Sequence, residues 1–270
     1  MCELFAISSK KPTAVSYSLP EFAAFGSGLR ENRSGWGIAF AKDRDAFLVK
    51  EPITASDSPW VKFIADQALE SKHVIAHVRR STIGAHTMEN THPFRRALGN
   101  HVHFLAHNGT MRKITDTYPR EDLHYQPVGE TDSEHAFCIL LTRLWPLYQK
   151  GTPSPEERIK VFTDFCTDMK KLGTCNFLYF DGEILFVHAH KRVWEEDGKL
   201  TDPKPPGLHI KECMKCAFQK EMHAPGLDVG GLEKETIVLA SVPLDEFGWR
   251  PLDEGTVLAL KDGKILDSRI

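Results

Sequence analysis

Apolar runs of strand-like length occupy both ends of the chain, and two segments of helical periodicity lie between them. Residues 3–8 hold a continuous run from Leu4 to Ile7 that reads as a buried strand. Residues 38–41, led in by Ser34-Gly35-Trp36-Gly37, form another, and residues 47–50 read as its hairpin partner. Ser58-Pro59 starts a helix running to about residue 71, with proline in the first turn where its missing N–H costs nothing. Residues 73–79 and 102–107 are two more strands, and the polar stretch 84–94 between them is expected to be a surface loop. Thr131 or Asp132 caps a long helix to about residue 150, because Phe137, Leu140, Leu141, Leu144 and Leu147 share one face. Residues 156–172 give a second helix. Strands follow at 176–180 and 184–188 around Asp181-Gly182, at 236–242, and at 257–260 and 265–266 around Asp262-Gly263.

Residues 194–231 hold Pro203, Pro205, Pro206, Pro225 and many charges, fit no element, and read as a loop-rich insertion in a single domain spanning 1–270. The order of strands, helices and strands fits either two sheet layers with helices outside or an α+β domain, and the pattern alone does not separate these.

Composition bounds the setting rather than the fold. A chain of 270 residues has ample apolar material for a core. A formal net charge of -3, with no block of like charges, gives no support for nucleic acid or an acidic membrane as a partner, and neither is expected. No segment approaches the ~20 apolar residues of a membrane helix. The first residues lack the basic start and apolar core of a signal peptide. A soluble, cytoplasmic protein is expected, with Cys138, Cys166 and Cys175 as free buried thiols rather than a disulfide framework.

Cys2 changes the picture. Its side chain is small enough for removal of Met1, which would leave a thiol and a free α-amine on one residue. An α-amine has a pKa of about 7.7–8.0, so it takes up a proton near neutral pH and can serve as base for its own nucleophile. Taken alone, a cysteine at position two is more often chance. Four later segments bear on it: His77-Val78-Arg79-Arg80-Ser81-Thr82-Ile83-Gly84, Glu89-Asn90-Thr91-His92-Pro93-Phe94, Ala106-His107-Asn108-Gly109 and Gly129-Glu130-Thr131-Asp132-Ser133-Glu134. In that order downstream of Cys2 they resemble the class II glutamine amidotransferases of the N-terminal nucleophile hydrolase superfamily, closest to the stand-alone subgroup similar to bacterial YafJ. The likeness runs over essentially the whole chain and is densest from Cys2 to Leu141. Each motif is short; their order carries the likeness.

The resemblance implies a four-layer αββα sandwich, an α+β fold of two antiparallel sheets with helices outside. It implies that Cys2 attacks a γ-glutamyl carbonyl, with the Asn108 side-chain amide and the Gly109 backbone N–H forming the oxyanion hole. Asparagine suits that task as an uncharged donor, and glycine lets backbone approach closely; an ordinary Asn-Gly turn is the alternative. Arg79 is implied to hold the substrate α-carboxylate through its guanidinium fork, with a hydroxyl or backbone contact from Thr82. Asp132 is implied to hold the α-ammonium, although a helix cap would explain it as well. His92 is implied near the substrate, as a structural or orienting residue.

Arg80 and Ile83 stand where many glucosamine-type members have Trp and His, which points to a more basic or differently closed substrate pocket. No cofactor or metal is expected. His77, His101, His103 and His107 are expected to be core or surface residues, and the lone Cys213-Met214-Lys215-Cys216, though flanked by His209 and His223, is followed by no second Cys-x-x-Cys. The expected partner is a small molecule, glutamine or another γ-glutamyl compound. The ammonia either passes to a separate accepting subunit or is replaced as leaving group by a larger amine. A non-catalytic module that keeps the fold is the reading from a different class.

Overall fold

The computed structural model describes the backbone of residues 2–17, 34–79, 85–213, 221–224, 227–230 and 235–270. The chain folds into two antiparallel sheets. In the first, β1 (Glu3–Tyr17) pairs with β4 (Glu70–Val78) on one side and β14 (Thr236–Ala240) on the other. Beyond β4 lie β2 (Trp36–Lys42) and β3 (Asp45–Glu51); beyond β14 lie β11 (His209–Cys213) and β15 (Trp249–Pro251). The far half of β1 also pairs with β13 (Leu227–Gly230), which pairs with β12 (Glu221–Ala224). The second sheet runs in the order β17 (Lys264–Arg269), β16 (Val257–Lys261), β8 (Leu185–His188), β7 (Thr174–Phe180), β6 (His101–Thr110), β5 (Phe94–Leu98). A two-residue ribbon, β9 (Glu195–Glu196) with β10 (Lys199–Leu200), stands apart.

The period-two alternation of side chains makes three apolar layers out of these two sheets. Leu4, Ala6, Ile75 and Leu239 from the first sheet meet Phe104, Ala106, Leu178 and Leu258 from the second. Their neighbours Phe5, Ile7, Val74, Ala76 and Val238 point outward and pack with Ile64 of α1 (Pro59–Gln67). On the other side Leu105, Phe177, Tyr179 and Phe186 pack with Phe137, Leu141 and Leu144 of α3 (Asp132–Tyr148) and Phe162 and Phe165 of α4 (Pro155–Met169). A single helical turn, α2 (Ile114–Thr117), precedes α3. The layers therefore run helix, sheet, sheet, helices, as the resemblance implied. Each fully buried large side chain contributes about 1.5–3 kcal/mol, so the three layers supply the bulk of the driving force.

Local signals hold at most ends. Ser154 and Glu157 form a reciprocal capping box at the start of α4. Asp262 and Gly263 both take positive φ in the turn between β16 and β17, a conformation that favours the Asp-Gly pair.

Three expectations need correction. The first helix stops at Gln67 rather than near 71, because Ala68 turns to φ 44 and Glu70 already starts β4. The loop expected on the surface at 84–94 is exposed only in its first part: Asn90, Thr91 and His92 are buried, and Phe94 begins β5. Their polar groups made the stretch look solvent-facing, but Asn90 and Thr91 spend theirs on internal hydrogen bonds. Within the expected insertion, 209–213 is the inner strand β11. Leu208 and Ile210 are fully buried, and backbone pairing with β14 outweighs the weak local pattern.

Candidate active site

Cys2 stands immediately before β1, the strand paired on both flanks. The start of β1 is pinned by its neighbours. Leu4 donates its N–H to the Ser241 hydroxyl at 2.9 Å, and Ser241 donates back to the Leu4 carbonyl at 3.0 Å. Glu3 lies opposite Val78, so the antiparallel ladder sets Cys2 beside Arg79. From the second sheet, Asn108 reaches across and donates its side-chain amide to the Cys2 carbonyl at 2.6 Å. Cys2 itself is half-buried.

Arg79 is buried at the end of β4. Its Nη1 donates to the carbonyl oxygens of Ala85 at 3.0 Å and Ser34 at 3.4 Å, and its backbone exchanges bonds with Gly35 and Ser34. Burial lowers the pKa of the guanidinium, while the negative charges of Cys2 and Asp132 pull it back up. Arg79 thus lies close enough to Cys2 and to Asp132 to feel the charge either can carry.

Thr131, not Asp132, is the N-cap of α3, and its hydroxyl accepts the Glu134 N–H at 3.1 Å. That leaves the Asp132 carboxylate for other partners. Its Oδ2 accepts the Met111 N–H at 2.7 Å and its Oδ1 accepts the Ser133 hydroxyl at 3.3 Å. The Ser133 oxygen in turn lies 2.8 Å from His107 Nδ1. Asn90 ties this corner to Arg79: its amide donates to the same Ala85 carbonyl at 3.2 Å, and its oxygen accepts the Glu130 N–H at 2.9 Å.

Gly109 pairs with Cys175 across the β6–β7 ladder. A Cβ there would lie 1.9 Å from the Thr174 carbonyl oxygen, so only glycine permits this approach. Asn108 is held from behind by Asn176, its cross-strand partner, whose amide donates to the Asn108 carbonyl at 3.0 Å and to the Lys191 carbonyl at 2.9 Å. The Asn176 oxygen accepts the His190 N–H at 2.7 Å.

The His92 ring lies 4.1 Å from the His77 ring, tilted by 35°, and 4.4 Å from the Phe94 ring. Neither ring nitrogen of His77 or His92 has a hydrogen-bond partner among the described residues. Burial first, then the neighbouring cations, pushes His77 down to about 3 and His92 well below its ordinary value, so both are neutral at physiological pH. His92 is thus a buried, neutral ring packed among His77 and Phe94.

The structure brings Cys2, Arg79, Asn108 and Asp132 together, with Gly109 adjoining. Thr82, Arg80, Ile83 and Cys216 lie outside the described residues. Among the described residues no His, Cys, Asp or Glu cluster has the form of a metal site, and no helix is long and apolar enough to cross a membrane. The other described thiols are poorly suited to attack: burial pushes Cys138 up to about 12 and raises Cys166 and Cys175 as well.

Two supporting features escaped the sequence. Asn176 had no marking signal beyond a polar residue in an apolar strand. Glu3 had one: a carboxylate inside a buried run demands a partner, and that partner is Arg192.

A family model for the class II glutamine amidotransferases matches residues 1–269. A protein of Methanocaldococcus jannaschii is 31% identical over 269 residues, covering 99% of this chain and 71% of its own length. YafJ of Escherichia coli, which carries the family name, is 33% identical over 189 residues, covering 70% of this chain and 73% of its own. Among solved structures, a predicted glutamine amidotransferase from Pseudomonas aeruginosa superposes with a TM-score of 0.69 at 27% identity, over 98% of this chain and 100% of that one. The glutamine phosphoribosylpyrophosphate amidotransferase of Bacillus subtilis shares the fold, with a TM-score of 0.60 at 16% identity over 99% of this chain and 49% of its own.

Proposed function

Because this chain belongs to the class II glutamine amidotransferases, we propose that its Cys2 thiol, freed by removal of Met1, hydrolyses a γ-glutamyl amide through a γ-glutamyl thioester. The observation that carries the reading is the convergence of Asn108 from one sheet and Arg79 from the other on Cys2.

In this reading the α-amine of Cys2 takes the thiol proton, and the sulfur attacks the γ-carbonyl carbon. The tetrahedral oxyanion is held by the Asn108 amide and the Gly109 N–H. Losing one such donor costs about 2.7–4 kcal/mol of transition-state stabilisation. The amine then gives its proton to the departing nitrogen, which leaves as ammonia or a larger amine. Water attacks the thioester and releases glutamate and the free thiol. Arg79 holds the α-carboxylate and Asp132 the α-ammonium, so the γ-glutamyl end is recognised whatever amine leaves. No cofactor enters any step.

The test is an intact-mass measurement before and after incubation with 6-diazo-5-oxo-norleucine, a glutamine-like electrophile. A mass lacking Met1, followed by one adduct on Cys2, is expected. The buried Cys138, Cys166 and Cys175 should stay unmodified. Retained Met1, or no adduct on Cys2, would favour a non-catalytic module.

A further inference from the structure

Glu3 and Arg192 form an ion pair buried on both sides, at 0% and 1% exposure, directly beside the proposed nucleophile. The pair is bidentate, at 2.7 Å and 3.1 Å. Arg192 is itself anchored. Its backbone exchanges hydrogen bonds with Lys204 at 3.1 Å and 2.9 Å, and its guanidinium lies 4.9 Å over the Trp194 ring. Its neighbour Lys191 gives its carbonyl to the Asn176 amide, and that same amide holds the Asn108 carbonyl.

These contacts close a circuit. It runs along the chain from Cys2 to Glu3, across to Arg192, along the chain to Lys191, then through Asn176 to Asn108. The Asn108 amide returns it to Cys2. Both Asn176 amide hydrogens are spent in it.

We propose that Arg192 is a positioning residue for the nucleophile: through Glu3 it fixes Cys2, and through Lys191 and Asn176 it holds that thiol in register with Asn108. The proposal rests on the reading of Cys2 as the attacking group. A buried ion pair is a poor way to gain stability, since the desolvation of both charges offsets most of their attraction. A planar fork gripping a carboxylate at two points does fix distance and angle together. Attack by sulfur demands that kind of control, because a misplacement of about 1 Å can cost a hundredfold in rate.

The experiment measures Cys2 labelling by 6-diazo-5-oxo-norleucine, following intact mass against time at several concentrations. The double variant Glu3→Leu with Arg192→Met removes both charges and leaves neither unpaired, so it should melt within about 5 °C of the wild type. Its maximal labelling rate is expected to fall about tenfold or more, while the half-saturating concentration, set by Arg79 and Asp132, moves less than about threefold. A folded double variant that labels at the wild-type maximal rate overturns the proposal. Should it not fold, Arg192→Lys decides. That variant keeps the charge but loses the fork, and its maximal rate is expected to drop several-fold; an unchanged rate overturns the proposal. A wild-type protein that takes no adduct on Cys2 is a different failure: it removes the nucleophile reading itself.

Discussion

Asn108 donates its side-chain amide to the carbonyl oxygen of Cys2 at 2.6 Å, so the proposed oxyanion donor is braced by the residue it would serve. An amide nitrogen carries two hydrogens, and this bond uses one of them. The other is left for the oxyanion that forms on the γ-carbonyl oxygen when the sulfur adds to its carbon, in the proposed reaction. Preorganised donors of this kind cost no reorganisation at the moment of reaction.

Asn108→Ala should therefore lower the turnover number about 10²–10³-fold, and KM should change little. Steady-state release of glutamate from glutamine, or from another γ-glutamyl amide, reads both constants. A variant with wild-type turnover would remove Asn108 from the oxyanion hole.

Gly109→Ala acts by volume. The new methyl would sit 1.9 Å from the Thr174 carbonyl oxygen and 2.7 Å from His107 Nε2, so β6 and β7 must part locally. A loss of about 1–3 kcal/mol in unfolding free energy is expected, as for other overpacked sites. Turnover should fall as well, because the Gly109 N–H moves with the strand. Urea denaturation and turnover measured on the same sample check the pair of effects.

Asp132→Asn separates binding from folding. Thr131 still caps α3, and an amide oxygen can still accept the Met111 N–H, so stability should change by less than about 1 kcal/mol. The charge proposed to face the substrate α-ammonium is lost, and a charged hydrogen bond of about 1.5–3 kcal/mol should go with it. KM should rise about tenfold or more at nearly constant turnover. A KM within twofold of the wild type would return Asp132 to a purely local structural role.

The buried histidines set the response to acid. Burial pushes His73 and His103 down to about 4, and His77 and His188 down to about 3, from an ordinary 6.5. The unfolded chain therefore binds more protons than the native one between those values and 6.5. Stability from these groups is complete above pH 6.5 and is lost as pH falls below it, at about 1.4 kcal/mol per pH unit for each histidine. Denaturation midpoints should drop steeply from pH 6.5 to pH 5. His77→Asn should flatten that slope by about one proton, whatever it does to stability at pH 7.

The layers of this molecule were largely legible in its sequence, because strand-length apolar runs and one-faced helices declare themselves locally. Glu3 to Ile7 and 176–180 are examples. What stayed hidden depends on distant partners. Strand β11 has little apolar pattern of its own and exists through its pairing with β14. The buried end of the 85–93 loop resembles a solvated one until the hydrogen bonds of Asn90 are known. The site residues Cys2, Arg79, Asn108 and Asp132 were recognisable as motifs, and the structure brings them together. Asn176 and Arg192, which brace them, carry no motif, and their importance lies in contacts spanning 68 and 189 positions along the chain.

The placement of β1 also governs how slowly this corner of the molecule opens. The first residues of a domain ordinarily fray and exchange their amide hydrogens quickly. Here residues 3–8 lie between β4 and β14, with one buried layer on each face. Their backbone amides can exchange only when the sheet itself comes apart, so they should be among the last to take up deuterium. The Cys2 sulfur is thereby attached to one of the least yielding parts of the fold.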